Sequence, residues 1–100
     1  MKVGMIASHY PHASHREEFI ARVHQVAEVF RGTPGCLSAE CWLSDDAVIS
    51  IVQWESDEAF AASLAAVQEA ELDLAHDERE VRPREIVRVV AGYATRTPPS

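Results

Sequence analysis

Short apolar runs and amphipathic stretches alternate along the chain, and each predicts an element. Residues 2–9, KVGMIASH, are apolar without helical spacing and read as a first strand, which Pro11 ends because it has no N–H for a ladder. Ser14 followed by Glu17 has capping-box spacing, and Phe19, Ile20, Val23, Val26, Ala27 and Phe30 then form one helical stripe. RGTPG at 31–35 stops that helix. Residues 36–44, CLSAECWLS, and 48–54, VISIVQW, read as strands joined across DDA as a hairpin. Ser56 is placed to cap a second helix with Phe60, Leu64 and Val67 on its stripe. An acid-rich stretch runs to about Arg82, and Pro83 precedes a last strand, EIVRVVAGY. Residues 1–93 thus make a single domain, and 94–100 a flexible C-terminal tail.

The order β-α-β-β-α-β predicts an α+β, ferredoxin-like fold, a four-stranded antiparallel sheet with both helices on one face. The first and last strands are apolar at both sets of alternating positions: Val3, Met5 and Ala7 against Ile6, and Val87 and Val89 against Ile86 and Val90. A sheet with one wet face alternates instead. The open face therefore needs a cover, and a second copy of the sheet is the simplest, which predicts a homodimer.

Composition narrows the class. Sixteen acidic residues against nine basic ones give a formal net charge of −7, and every basic residue but Lys2 is arginine. No clustered positive charge is available for nucleic acid or an anionic membrane. No apolar run approaches the ~20 residues that span a bilayer, and the stretch before His9 is too short for a signal peptide, so a cytoplasmic location is expected. On one extended strand, Cys36 and Cys41 would lie about 16 Å apart at ~3.3 Å per residue and point to opposite faces. Two reduced thiols are the expectation, since a disulfide needs less than about 7 Å.

From Pro34 to Phe60 the chain resembles the antibiotic biosynthesis monooxygenase family of dimeric α+β-barrel proteins. The motifs that carry the likeness are PGCLSAE at 34–40 and QWESDEAF at 53–60. Within the family it looks most like the small cofactor-independent polyketide oxygenases of the actinorhodin type. The resemblance implies oxygenation of a small aromatic or polyketide-type substrate by molecular oxygen, with no metal, flavin or haem. It also implies site positions: Trp54 matches the family's tryptophan at the end of strand three, Ser50 stands where the family has asparagine, Phe60 where it has tyrosine, and Trp42 where it has histidine. The aromatic frame is kept while polar groups change, so a non-catalytic dimeric small-molecule-binding or regulatory module is the alternative. A haem-degrading branch of the superfamily is matched less well: its helix positions fall at Ser63 and Asp73, and the chain contains no asparagine.

His9 is the first candidate catalyst, a strand-end imidazole able to enter the cleft between sheet and helices with a pKa near neutrality. Ser50 and Trp54 join it as catalytic candidates, and Trp42, Phe60 and Leu64 as substrate-binding ones, although strand parity leaves Trp42 open between the cavity and the dimer face. Glu71 falls in the middle of the Phe60–Leu64–Val67 stripe if the second helix is extended at about 100° per residue. Either the helix ends before it, or a carboxylate with a raised pKa faces the cavity as a base. His12 and His15 are expected to face solvent. A metal shared by His9, His12 and His15 would need a strand end, a loop and a helix to converge without metalloprotease spacing, so no metal site is expected.

Overall fold

Val3–Pro11 form β1, the strand against which the others assemble. In the computed structural model, which describes residues 1–70 and 78–92, α1 (Arg16–Arg31), β2 (Cys36–Leu43), β3 (Val48–Trp54), α2 (Asp57–Glu69) and β4 (Glu80–Val90) follow. The sheet order is β2-β3-β1-β4 with every neighbouring pair antiparallel, the ferredoxin-like α+β arrangement. Among the described residues no helix is long and apolar enough to cross a membrane. The boundary drawn at residue 93 and the tail beyond it lie outside the described residues.

Strand parity decides what faces what. Val3, Met5, Ala7 and His9 of β1 pair with Trp54, Val52, Ser50 and Val48 of β3, and this set looks toward the helices. Ile6 pairs with Ile51 and Val87 on the opposite, open face. There Ile6, Trp42, Val87 and Val89 remain exposed. On β1 the helix-side set packs under the helices, with Val3 and Ala7 buried, whereas Ile86 and Val90 of β4 stay about half exposed on that same side and Ile6, Val87 and Val89 form an apolar surface on the other.

Three local readings need correction. Ser14 does not cap α1, because residues Ala13–His15 form a 3-10 turn and the chain enters the helix through it; His15 occupies the cap with φ −115° and its side chain makes no capping bond. Pro83 lies inside β4 rather than before it. An edge strand tolerates it, and it falls where the β1–β4 register slips between the Ser8–Glu85 and Tyr10–Arg82 pairs. Finally, β2 carries a bulge: Cys36 pairs with Trp54 but Ser38 with Gln53, so Leu37 is the extra residue. One inserted residue reverses parity, and Cys36 and Cys41 consequently share the helix-facing side. Both are free thiols whose pKa burial pushes up.

The core centres on Trp54, which is 0% exposed. Phe30 meets its indole edge-on at 5.4 Å between centroids, and Phe60 at 4.7 Å. Ser56 caps α2 by accepting from the Ala59 N–H at 3.1 Å. The face that α2 buries is Ala59, Ser63 and Val67, one position round from the apolar stripe read in the sequence, with Phe60 and Leu64 on its flank. The reason is polar: Trp54 Nε1 donates to Ser63 Oγ at 2.7 Å, so a serine belongs in the centre of the contact. Ser63 also meets Thr33 Oγ1, which itself donates to the Phe30 carbonyl at 2.7 Å. The chain reaches this region through Gly35, whose φ of +88° and closeness to Ala59, 2.5 Å from an added Cβ, exclude a side chain.

Trp54→Ala should therefore destabilise the fold by about 3–5 kcal/mol in denaturant titration, as for other emptied aromatic core sites. A loss under about 1 kcal/mol would mean that the indole is not the centre of the core.

Candidate functional site

Helix α1 crosses the sheet beside α2 and leaves a cavity of about 110 Å³ beneath it. The sheet contributes Met5 and Ala7 of β1 and Ile86 of β4. The helices contribute Phe19, Val26 and Phe30 of α1 and Leu64 of α2. The alternation of β1 puts His9 on the same side, and Ser50 follows because it pairs with Ala7. Arg22 of α1 and Arg84 of β4 complete the polar lining. The space thus has apolar walls with an imidazole, a hydroxyl and two guanidiniums at its border.

His9 is mostly buried, its side chain 13% exposed, and Nδ1 lies 3.8 Å from Oε1 of Glu80, whose side chain is 1% exposed. Burial lowers the His9 pKa below its ordinary 6.5 because the imidazolium loses solvation. The Glu80 carboxylate opposes that shift, and the charges of Arg84 and Arg22 reinforce it. The ring is therefore neutral at neutral pH and can accept a proton. With Nδ1 turned to Glu80, Nε2 is the nitrogen left for a ligand, and the carboxylate would stabilise an imidazolium once formed. Phe19 holds the ring from the helix side at 6.1 Å between centroids.

The sequence-derived candidates separate into groups. His9, Ser50 and Leu64 line the cavity. Trp54 lies in the adjoining core with its N–H committed to Ser63, and Phe60 packs between Trp54 and the Arg88 guanidinium, 5.8 Å from its ring. Neither reaches the cavity, because α2 turns Ser63 and not Phe60 toward the sheet. Trp42 pairs with Ile49 on the open face, 55% exposed, and donates to Glu40 Oε1 at 3.1 Å. Glu71 lies outside the described residues, as does Asp73; α2 ends at Glu69 with Ala70 as its cap. The three N-terminal histidines diverge: His12 is exposed, and His15 faces Glu18 at 3.3 Å. Glu80, Arg22 and Arg84 went unread in the sequence. Arg22 sits one residue before the apolar Val23, a spacing that hints at a cavity-edge position. Glu80 comes beside His9 through the Pro11–Glu80 pairing at an irregular strand end, which no periodicity foretells.

The antibiotic biosynthesis monooxygenase family model matches residues 3–70. No curated protein sequence matches the chain. Among solved structures, Rv0793 from Mycobacterium tuberculosis superposes with a TM-score of 0.75 at 18% identity, covering 95% of this chain and 100% of that one. A conserved protein from Methanosarcina mazei gives 0.79 at 12% identity, with 92% and 94% coverage. The monooxygenase from the gene ActVA-Orf6 of Streptomyces coelicolor, solved with the ligand nanaomycin D, gives 0.64 at 22% identity, with 96% and 92% coverage. At these identities the likeness to the three structures is one of fold.

The depressed His9 pKa has a consequence for stability. Below pH 6.5 the unfolded chain binds a proton at His9 that the folded chain resists, so this residue's contribution favours folding above that pH and is lost as pH falls. Denaturant titrations from neutral to mildly acidic pH should show wild type losing more stability than His9→Gln. Parallel pH profiles would mean that His9 titrates as a solvated imidazole.

Proposed function

Because the chain belongs to the antibiotic biosynthesis monooxygenase family, we propose that it is a cofactor-independent monooxygenase or related tailoring enzyme acting on a small aromatic, polyketide-type substrate in the cavity between sheet and helices. The observation that carries this reading is a neutral His9, backed by Glu80, at the edge of an apolar cavity.

In this reading the substrate is an electron-rich phenol. His9 takes the hydroxyl proton, and Glu80 favours the imidazolium that results. The phenolate passes one electron to dioxygen; the radical and superoxide join at a ring carbon that bears hydrogen. Proton return from His9 gives a hydroperoxide, and loss of water with that carbon's hydrogen leaves a quinone. One oxygen atom enters the product and the other leaves as water. Arg22 and Arg84 supply positive charge near the phenolate and the superoxide, where an apolar surrounding strengthens it. The walls exclude bulk water that would quench the anion. Ser50 offers a hydroxyl for orientation.

The second reading, a small-molecule-binding module without catalysis, is favoured by the polar groups the site lacks: Phe60 has no hydroxyl, and the Trp54 N–H is already used. In either reading we place a second copy of the chain over the open sheet face, where Ile6, Trp42, Val87 and Val89 are exposed together. The expected location is cytoplasmic.

Oxygen uptake with a hydroxylated aromatic and no added cofactor tests the chemistry. His9→Gln should lower kcat by about 10²–10⁴-fold with a melting temperature near wild type at neutral pH. A panel of phenols that binds without consuming oxygen establishes the binding module instead. Sedimentation at micromolar concentration should give about twice the 11.1 kDa chain mass; a stable monomer would remove the proposed cover of the sheet.

A further inference from the structure

Arg84 stands apart from the other described arginines. Arg88 is paired with Asp57, Arg31 with Glu28, Arg82 with Asp46 and Arg79 with Glu18, while Arg16 donates to the Ser44 carbonyl at 2.6 Å. Arg84, half-buried on the cavity wall, has no hydrogen bond or ion pair among the described residues. Across the cavity, Arg22 meets one acid among the described residues, the exposed Glu18 at 3.5 Å, which Arg79 also engages. No aspartate or glutamate lines the cavity among the described residues. Glu80 faces His9 and is not part of that lining.

A guanidinium that loses solvent at an apolar cavity is costly unless an anion meets it. We propose that the cavity selects a ligand whose apolar body carries one carboxylate, held by Arg84 with Arg22 beside it. This names the substrate class of the site described above and rests on reading the cavity as the ligand site. A carboxylate suits the planar guanidinium fork, which can offer it two parallel N–H donors. A single negative charge suits a site in which, among the described residues, Arg84 has no acid and Arg22 already shares one. The apolar body then lies against Phe30, Val26 and Leu64, and neutral His9 adds no competing charge.

The test compares 2-naphthoate with its neutral isostere 2-naphthamide by calorimetric titration of the full-length protein under argon, so that binding is read without turnover. Wild type should bind the naphthoate at least about tenfold more tightly, the scale of one charge-assisted hydrogen bond. Arg84→Gln should erase that preference while keeping naphthamide affinity, which also shows that the variant is folded. Arg22→Gln should reduce it in part. Arg88→Gln, on the same strand but paired with Asp57, should leave it unchanged. Equal affinity for the two ligands in wild type, a preference that survives Arg84→Gln, or binding of neither ligand overturns the proposal. Oxygen uptake keeps it separate from the catalytic reading: naphthoate preference without uptake by 1-hydroxy-2-naphthoate upholds the carboxylate site and removes the oxygenase. Uptake by neutral naphthols without any preference does the reverse.

Discussion

The hydrogen bond from the Trp54 indole to Ser63 is the constraint from which the rest of the molecule follows. A fully buried indole N–H needs an acceptor, and leaving it without one costs about 1–3 kcal/mol. Ser63 meets that need from the middle of α2, which sets the rotation of the helix against the sheet. With that rotation set, Phe60 covers one edge of the indole and Leu64 comes to the border of the cavity. Thr33 ties the same hydroxyl to the end of α1, so both helices are referenced to one tryptophan. The cavity is the space left where α1 meets the sheet beyond this anchored region.

The order of elements was legible because it depends on short-range signals: the stripe from Phe19 to Phe30, the Ser56 cap, the turn residues around Gly35. The family was legible too, from two motifs that fall within residues 3–70. Facing was legible only where the ladder is regular. His9 and Ser50 follow from alternation along unbroken segments of β1 and β3. Cys36 does not, because the extra residue at Leu37 reverses parity without changing composition. Trp42 could not be assigned to a face from periodicity alone; pairing with Ile49 settles it. Ser63 lies outside the stripe of Phe60, Leu64 and Val67, and its burial does not follow from periodicity because its partner lies on another element, nine residues away in sequence. Glu80 is harder still, since it meets His9 across 71 residues of chain at an irregular strand end.

The site balances opposing electrostatic effects around one imidazole. Burial and two guanidiniums favour neutral His9, while a carboxylate favours the charged form. The proposed role of His9 as a base depends on this balance: too much stabilisation of the imidazolium would leave it protonated at rest, and too little would prevent it from holding the proton it takes. Ser50 and Leu64 reach the same space, whereas Trp54 and Phe60 contribute by fixing the wall beside it. Position in a family motif and contact with the cavity are therefore separate properties here.

The two tryptophans occupy contrasting surroundings, one enclosed in the core and one on the open face of the sheet. That division makes the protein its own optical instrument. Trp54, shielded and hydrogen-bonded to a single hydroxyl, emits from a dry and rigid site, so its signal reports the integrity of the interior. Trp42, wetted on the outer sheet, emits further to the red and is open to collisional quenchers, so its signal reports whatever comes to cover that surface. Quencher accessibility separates the two signals without a label, letting assembly and unfolding be followed as distinct events in one sample.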